Sequence, residues 1–116
     1  MASPEQLSKV FMSLLGNSIY AVVKKAGQTA FQPEVSLRVT VGEMINIVIR
    51  DNGTGIEETI IDKIFDPFFT TKTTGEASGI GLYLSHDVIQ NYGGDITVQS
   101  VKNEYTEFTV TLPPGE

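Results

Sequence analysis

The order of segment types along the chain predicts an α+β two-layer sandwich, with three helices on one face of a mixed, mostly antiparallel sheet of four to five strands. Three observations carry this. Apolar residues recur at helical spacing near the start of the chain and again after residue 79. Elsewhere, apolar and polar residues alternate in paired runs joined by short turns, as hairpins require. Finally, 116 residues, 41% of them apolar, suffice for one modest core and therefore one domain, 1–116.

Ser3-Pro4-Glu5-Gln6 opens the first helix with a capping hydroxyl, a proline at the first helical position and an acid next. Leu7, Val10, Phe11, Leu14, Leu15, Ala21 and Val22 then follow helical spacing, and Gly27 and Pro33 bracket the loop that ends it. Val35, Leu37, Val39 and Val41 alternate with Ser36, Arg38 and Thr40, which predicts a strand with one buried face. Gly42-Glu43 makes the turn, and Ile45, Ile47 and Ile49 alternate in the returning strand, which ends at Arg50-Asp51. A short helix is expected over Glu57 to Ile64. Residues 70–78, TTKTTGEAS, carry no apolar anchor and read as a mobile loop. A third helix runs from Gly79 to Tyr92 with Ile80, Leu84 and Val88 as its apolar stripe, and Gly93-Gly94 stops it. Two last strands, Asp95–Val101 and Glu107–Leu112, are joined by the turn Lys102-Asn103-Glu104.

Composition excludes several functions. A net charge of −6 argues against a surface that tracks nucleic-acid phosphates. It leaves room for a polyphosphate ligand screened by Mg²⁺, a few lysines or a helix N-terminus. The absence of cysteine removes disulfides and thiolate metal sites. No apolar run approaches the ~18 residues of a membrane span, and no basic-then-apolar leader opens the chain. Its abrupt start in a helix signal suggests a domain cut from something larger.

Asp51 is the first candidate for chemistry. A carboxylate at a strand end, followed by Gly53 and Gly55, can accept a hydrogen bond from an exocyclic amine; adenine offers that amine, and guanine offers an oxygen instead. The glycines would let backbone approach a base and take positive φ. Read alone, Asn52-Gly53 is more simply a turn signal. Gly79-Ile80-Gly81 opens the third helix, where free N–H groups can bind phosphate, or where the helix simply needs a tight entry. Asn17, a poor helix former, shares a polar flank with Ser13, Tyr20 and Lys24. Its amide oxygen can ligate Mg²⁺ and Lys24 can meet phosphate charge; for Lys24 and Lys25 a solvated helix face is the plainer reading. Lys72 follows Phe68-Phe69-Thr70-Thr71, placed to swing over a triphosphate while the two aromatics anchor the loop or pack the core. His86, the single histidine, is assigned no role.

Together these segments resemble the catalytic domain of sensor histidine kinases. LLGNSIYAV resembles that family's asparagine box, DNGTGI its first glycine box, IFDPFFTTK its phenylalanine box and GEASGIGLYLS its second glycine box. All four stand in the family's order. The resemblance implies the Bergerat ATP-binding fold and a pocket for ATP and Mg²⁺. It makes Asn17 the magnesium ligand and catalytic residue, Asp51 the reader of the adenine amine, Gly53 and Gly55 the glycines under the base, and Gly79 and Gly81 those beside the phosphates. It also lines the nucleotide site with Ala21, Lys24, Ile56, Phe69, Thr71, Lys72, Ser78, Ile80 and Leu82, and makes residues 70–78 the ATP lid. The implied partners are the dimerisation helices that carry the acceptor histidine of the parent kinase and a downstream response regulator, with no nucleic acid. The implied location is the cytoplasm, whether or not the parent kinase is anchored in a membrane.

The sequence departs from the family at several points. Ser13 stands one turn before Asn17, where the family usually has asparagine and where efficient hydrolytic relatives have a glutamate base; weak hydrolysis of ATP by water is therefore expected. Ala77 replaces a common lid glycine, and Ser78 a threonine. No dimerisation segment is present, and His86-Asp87 lacks the setting of a phosphoacceptor, so the chain alone is expected not to phosphorylate itself. The strand that often precedes the asparagine box is missing or short. Two rival readings follow: a protein-binding module that has lost nucleotide, and a stand-alone serine kinase of the anti-sigma type.

Overall fold

The computed structural model describes residues 4–59, 61–65 and 79–114. Helix α1 (Pro4–Ala26) leads into strands β1 (Val35–Val41) and β2 (Ile45–Asp51); helix α2 (Gly79–Asn91) leads into β3 (Asp95–Val101) and β4 (Tyr105–Leu112). The four strands form one antiparallel sheet in the order β1-β2-β4-β3. Both helices pack against each other, α1 over β2 and α2 over β3. This is the α+β sandwich that the segment order predicts.

Helix α1 is built for its place. Glu5 lies in its first turn and Lys24 and Lys25 in its last, matching the helix dipole. Val10, Leu14, Ser18 and Val22, each one turn from the next, are its buried residues. Val10 and Leu14 meet Ile49 of β2 and Phe108, Val110 and Leu112 of β4 in a core that also takes Ile64, Leu82, Ile89 and Ile96. Leu14, Ile49, Ile89 and Val110 have no exposed surface. Each such side chain contributes about 1.5–3 kcal/mol by leaving water. Truncating Leu14 to alanine costs about 2–5 kcal/mol once the cavity is included. Helix α2 ends as its glycines require: Gly93 has φ 86° and the Gly94 N–H donates to the Ile89 carbonyl at 2.9 Å.

Four expectations need correction. The described residues of Glu57 to Ile64 do not form an α-helix; among them one 3-10 turn, Ile61–Lys63, forms, preceded by Ile61 N–H on the Glu57 carbonyl at 3.1 Å. Its start is held elsewhere, Ile56 by Ser100 and Glu57 by an exposed ion pair with Lys102, and of its described residues only Ile64 is buried. β1 has no buried face: Leu37 is 51% exposed and Val39 53%. These residues lie in register with Ile49 and Ile47, on the sheet face the helices cover, but β1 is the edge strand and lies beyond most of the helical layer. The buried stripe of α2 is Leu82, Ser85 and Ile89, while Leu84 is 52% exposed. β4 starts at Tyr105, two residues before the expected Glu107.

Candidate functional site

Asp51 ends β2 on the helix-covered face, paired in register with Thr106, and is 2% exposed. Its Oδ1 accepts the Gly53 N–H at 2.8 Å, which turns the chain sharply at the end of the strand. Burial pushes the Asp51 carboxyl above its ordinary range; the Gly53 N–H, the Ser18 hydroxyl and the positive charges of Arg50 and Lys25 pull it back. An ionised carboxylate has room for several donors. Here it keeps accepting capacity in a desolvated seat, where a matching donor gains most and a mismatched acceptor is rejected most strongly.

The loop after Asp51 lies flat against α1. A side chain on Gly53 would meet the Ala21 backbone at 2.6 Å, so glycine is what lets the loop approach the helix. Gly55 has φ 68° and is pressed onto the β3–β4 turn, where an added Cβ would lie 2.3 Å from the Val101 carbonyl oxygen. Positive φ was expected at both glycines and occurs only at Gly55. Ile56 N–H donates to Ser100 Oγ at 2.7 Å, and that hydroxyl donates to the Tyr105 carbonyl at 2.7 Å.

Lys25 departs from its plain reading as a solvated residue. Its Nζ donates to the carbonyls of Asn52, at 3.1 Å, and Asn103, at 2.8 Å, and lies 4.8 Å above the Phe31 ring. Asn103 N–H in turn donates to the Thr54 carbonyl. One ammonium thus ties the end of α1 to the loop beside Asp51 and to the β3–β4 turn.

On α1, Asn17 and Ala21 share a flank one turn apart. The half-buried Asn17 donates its amide hydrogen to the Ser13 carbonyl at 2.9 Å, so its own helix orients the amide. Lys24 is exposed and lies 5.8 Å from the Tyr20 ring centre. Ala21, Asp51 and Gly53 are therefore gathered where α1 meets the end of β2; Asn17 lies one turn earlier on α1, and Gly55 lies against the β3–β4 turn. Gly79, Ile80 and Gly81 form the first turn of α2, and Leu82 is part of the core. Phe69, Thr71, Lys72 and Ser78, with the expected lid at 70–78, lie outside the described residues. Among the described residues no group of three or more acidic, histidine or cysteine side chains forms a metal cluster. No described helix is long and apolar enough to cross a membrane.

Two residues of this region escaped the sequence reading, Ser18 and Lys25. The signal for Ser18 was present: it interrupts the stripe Val10, Leu14, Val22 at the one buried position that is polar. Lys25 gave no such signal, because its two acceptors are backbone atoms 27 and 78 residues away. His86 is half-buried, its ring 5.0 Å from that of Phe65 and its Nε2 3.5 Å from Asp95.

Residues 2–116 match the family described as histidine kinase-, DNA gyrase B-, and HSP90-like ATPase. The chain is 36% identical to the two-component sensor PprA of Pseudomonas aeruginosa over 111 residues, 94% of this chain and 12% of that protein. It is 35% identical to the sensor histidine kinase ZraS of Escherichia coli K12, over 97% of this chain and 22% of that protein. Identity to the sensory histidine kinase/phosphatase NtrB of Rhizobium leguminosarum is 34%, over 99% of this chain and 32% of that protein. The chain thus spans less than a third of the length of these relatives.

Proposed function

The chain belongs to the family of histidine kinase-, DNA gyrase B- and HSP90-like ATPases, and from that premise we propose that it is the ATP-binding catalytic domain of a two-component sensor histidine kinase. The observation that carries the reading is Asp51, a nearly fully buried carboxylate at a strand end that accepts the Gly53 N–H and has lone-pair capacity for a further donor. A purine amine supplies one. The relatives with sensor-kinase names support the reaction class.

In this reading Asp51 accepts the adenine amine, and Gly53 and Ala21 hold the wall beside the base. Asn17 offers its amide oxygen to Mg²⁺, which when bound would neutralise phosphate charge. With no acidic cluster among the described residues, Asn17 would be the protein's ligand to the ion, and phosphate and water would supply the rest. The first turn of α2 presents backbone N–H groups, and residues 70–78 close over the phosphates with Lys72 among them. The chain positions the γ-phosphate for a histidine on the dimerisation helices of the parent kinase, and a response regulator receives it next. Ser13 cannot act as a general base, so water competes poorly for the phosphoryl group.

The test is a two-part labelling experiment with γ-labelled ATP and Mg²⁺. The chain alone stays unlabelled. Adding the histidine-bearing helices of its parent kinase yields acid-labile label on those helices. Label on His86 of the isolated chain, or no nucleotide binding at millimolar ATP, contradicts the proposal.

A further inference from the structure

Asn52 and Gly53 form a pair whose own covalent chemistry the fold holds in check. Asparagine followed by glycine is where a side-chain amide is most readily lost, because glycine has no side chain to keep its nitrogen away from the asparagine Cγ. Asn52 is the one asparagine of the chain placed so; Asn17, Asn46, Asn91 and Asn103 precede Ser18, Ile47, Tyr92 and Glu104.

Neither reacting group is free in the structure. Asn52 Oδ1 accepts the Glu34 N–H at 2.8 Å, and its Nδ2 donates to the Gln32 carbonyl at 2.8 Å. The backbone repeats the link, since the Asn52 N–H donates to the Glu34 carbonyl at 3.2 Å. The side-chain amide is thus latched to residues 32–34, the irregular stretch that leads into β1. The Gly53 N–H donates to Asp51 Oδ1 at 2.8 Å, and the negative charge of an ionised Asp51 opposes loss of that proton. Ring closure needs Cγ to swing onto the Gly53 nitrogen, so these side-chain hydrogen bonds must open first. The two to residues 32–34 are exposed and the one to Asp51 is buried. Exposed hydrogen bonds of an irregular segment open before the core does.

We propose that Asn52 is a site of spontaneous covalent modification, an amide-to-acid conversion gated by release of residues 32–34. The Gly53 nitrogen gives its proton to water and bonds to Asn52 Cγ; the Cγ–Nδ2 bond breaks and ammonia leaves. Water then opens the cyclic imide at either carbonyl, giving aspartate or isoaspartate, with no change of oxidation state. Aspartate sets a carboxylate where the amide donor met the Gln32 carbonyl. Isoaspartate routes the main chain through the former side chain, which adds a carbon between Asp51 and Gly53 and displaces the carbonyl that Lys25 holds at 3.1 Å. Gly53 has no slack for this, since even an added Cβ would lie 2.6 Å from the Ala21 backbone. Nothing in the proposal depends on which ligand the site binds.

The experiment ages the purified chain at physiological temperature and mildly alkaline pH, folded and in concentrated urea. Peptide mapping locates the mass gain of amide-to-acid conversion, and isoaspartyl methyltransferase labels the isoaspartate. In the folded chain Asn52 is expected to convert ahead of the other asparagines, yet at least about tenfold more slowly than in urea, as several hydrogen bonds must open first. Glu34→Pro removes the N–H that Asn52 Oδ1 accepts, and should speed conversion of the folded chain about three- to tenfold while leaving the rate in urea unchanged. The converted fraction, separated by ion exchange, melts lower than the rest. Should Glu34→Pro fail to fold, the wild-type rate is followed through urea concentrations too low to unfold the chain; a rise there supports gating by local release, and a rate that changes only with global unfolding contradicts it. Equal rates in the folded chain and in urea, a folded Glu34→Pro that converts no faster than wild type, or another asparagine converting first, would each overturn the proposal.

Discussion

Asp51 and Asp95 are both aspartates at strand ends within two residues of a glycine, yet they live in opposite conditions. Asp51 is 2% exposed, ends β2 beneath α1 and accepts a single backbone N–H from the turn that follows. Asp95 begins β3 in solvent and is surrounded by donors: Gln90 Nε2 at 2.8 Å, the Ile96 N–H at 2.9 Å and His86 at 3.5 Å. The exposed carboxylate is already satisfied by its own fold and by water. The buried one is desolvated. A ligand gains little by meeting an acid that water serves well, and gains most where water has been removed beforehand. The residue type does not distinguish the two; the covering helix does.

Neutralising each acid separates them most sharply. Asp51→Asn replaces a charged acceptor by an amide, and MgATP affinity is expected to fall by about 10–100-fold in a competition assay. The same variant is expected to be no less stable than wild type near neutral pH. A carboxyl whose folded pKa is raised penalises folding above that pKa, and the penalty is relieved as pH falls toward its ordinary value. Urea midpoints of the two proteins at pH 7 check this; a clearly lower midpoint for the variant would mean that Asp51 holds the fold together.

Releasing the brace beside Asp51 comes next. Lys25→Met leaves the carbonyls of Asn52 and Asn103 without their shared donor and removes a positive charge that favours ionised Asp51. A stability loss of about 1–3 kcal/mol and a several-fold drop in ATP affinity are expected. Lys25→Arg restores part of both.

Acidification gives a graded version of the comparison. ATP affinity in wild type should decline as pH falls through the raised Asp51 pKa, at a pH above that of an ordinary carboxylate. In Asp51→Asn this decline is absent, while the protonation of ATP itself affects both proteins alike. Smallest of all is Asp95→Asn. Nucleotide affinity should stay within about twofold of wild type, and stability within about 1 kcal/mol, since the pair with His86 is exposed.

Much of this was legible in the chain. Alternation located all four strands, and helical spacing located both α-helices, because these patterns follow from backbone geometry alone. Alternation also marked which residues of β1 share a face, but not whether anything covers that face. In β4 it coincides with burial at Thr106, Phe108, Val110 and Leu112; in β1 the same pattern stays exposed because the strand is at the edge. The supposed helix over 57–64 failed for a related reason. Its start is fixed by Ser100 and Lys102, residues of a distant hairpin that no local pattern reports. At the site, Asp51 and its glycines stood out as a motif, and Asn17 as a misfit in its helix. Ser18 was hidden in plain view, since one small polar residue in an apolar stripe acquires meaning only when its neighbour across the layer is known to be a buried acid. Lys25 was hidden fully, because its partners are carbonyls.

The central claim is that one buried acceptor at the end of β2 selects the purine. Calorimetric titration of the wild-type chain with MgATP and MgGTP, side by side in one buffer at neutral pH, tests it most directly. The account predicts that ATP binds at least about 100-fold more tightly, as a site with an unpaired buried acceptor demands. Equal affinity for the two nucleotides would contradict it.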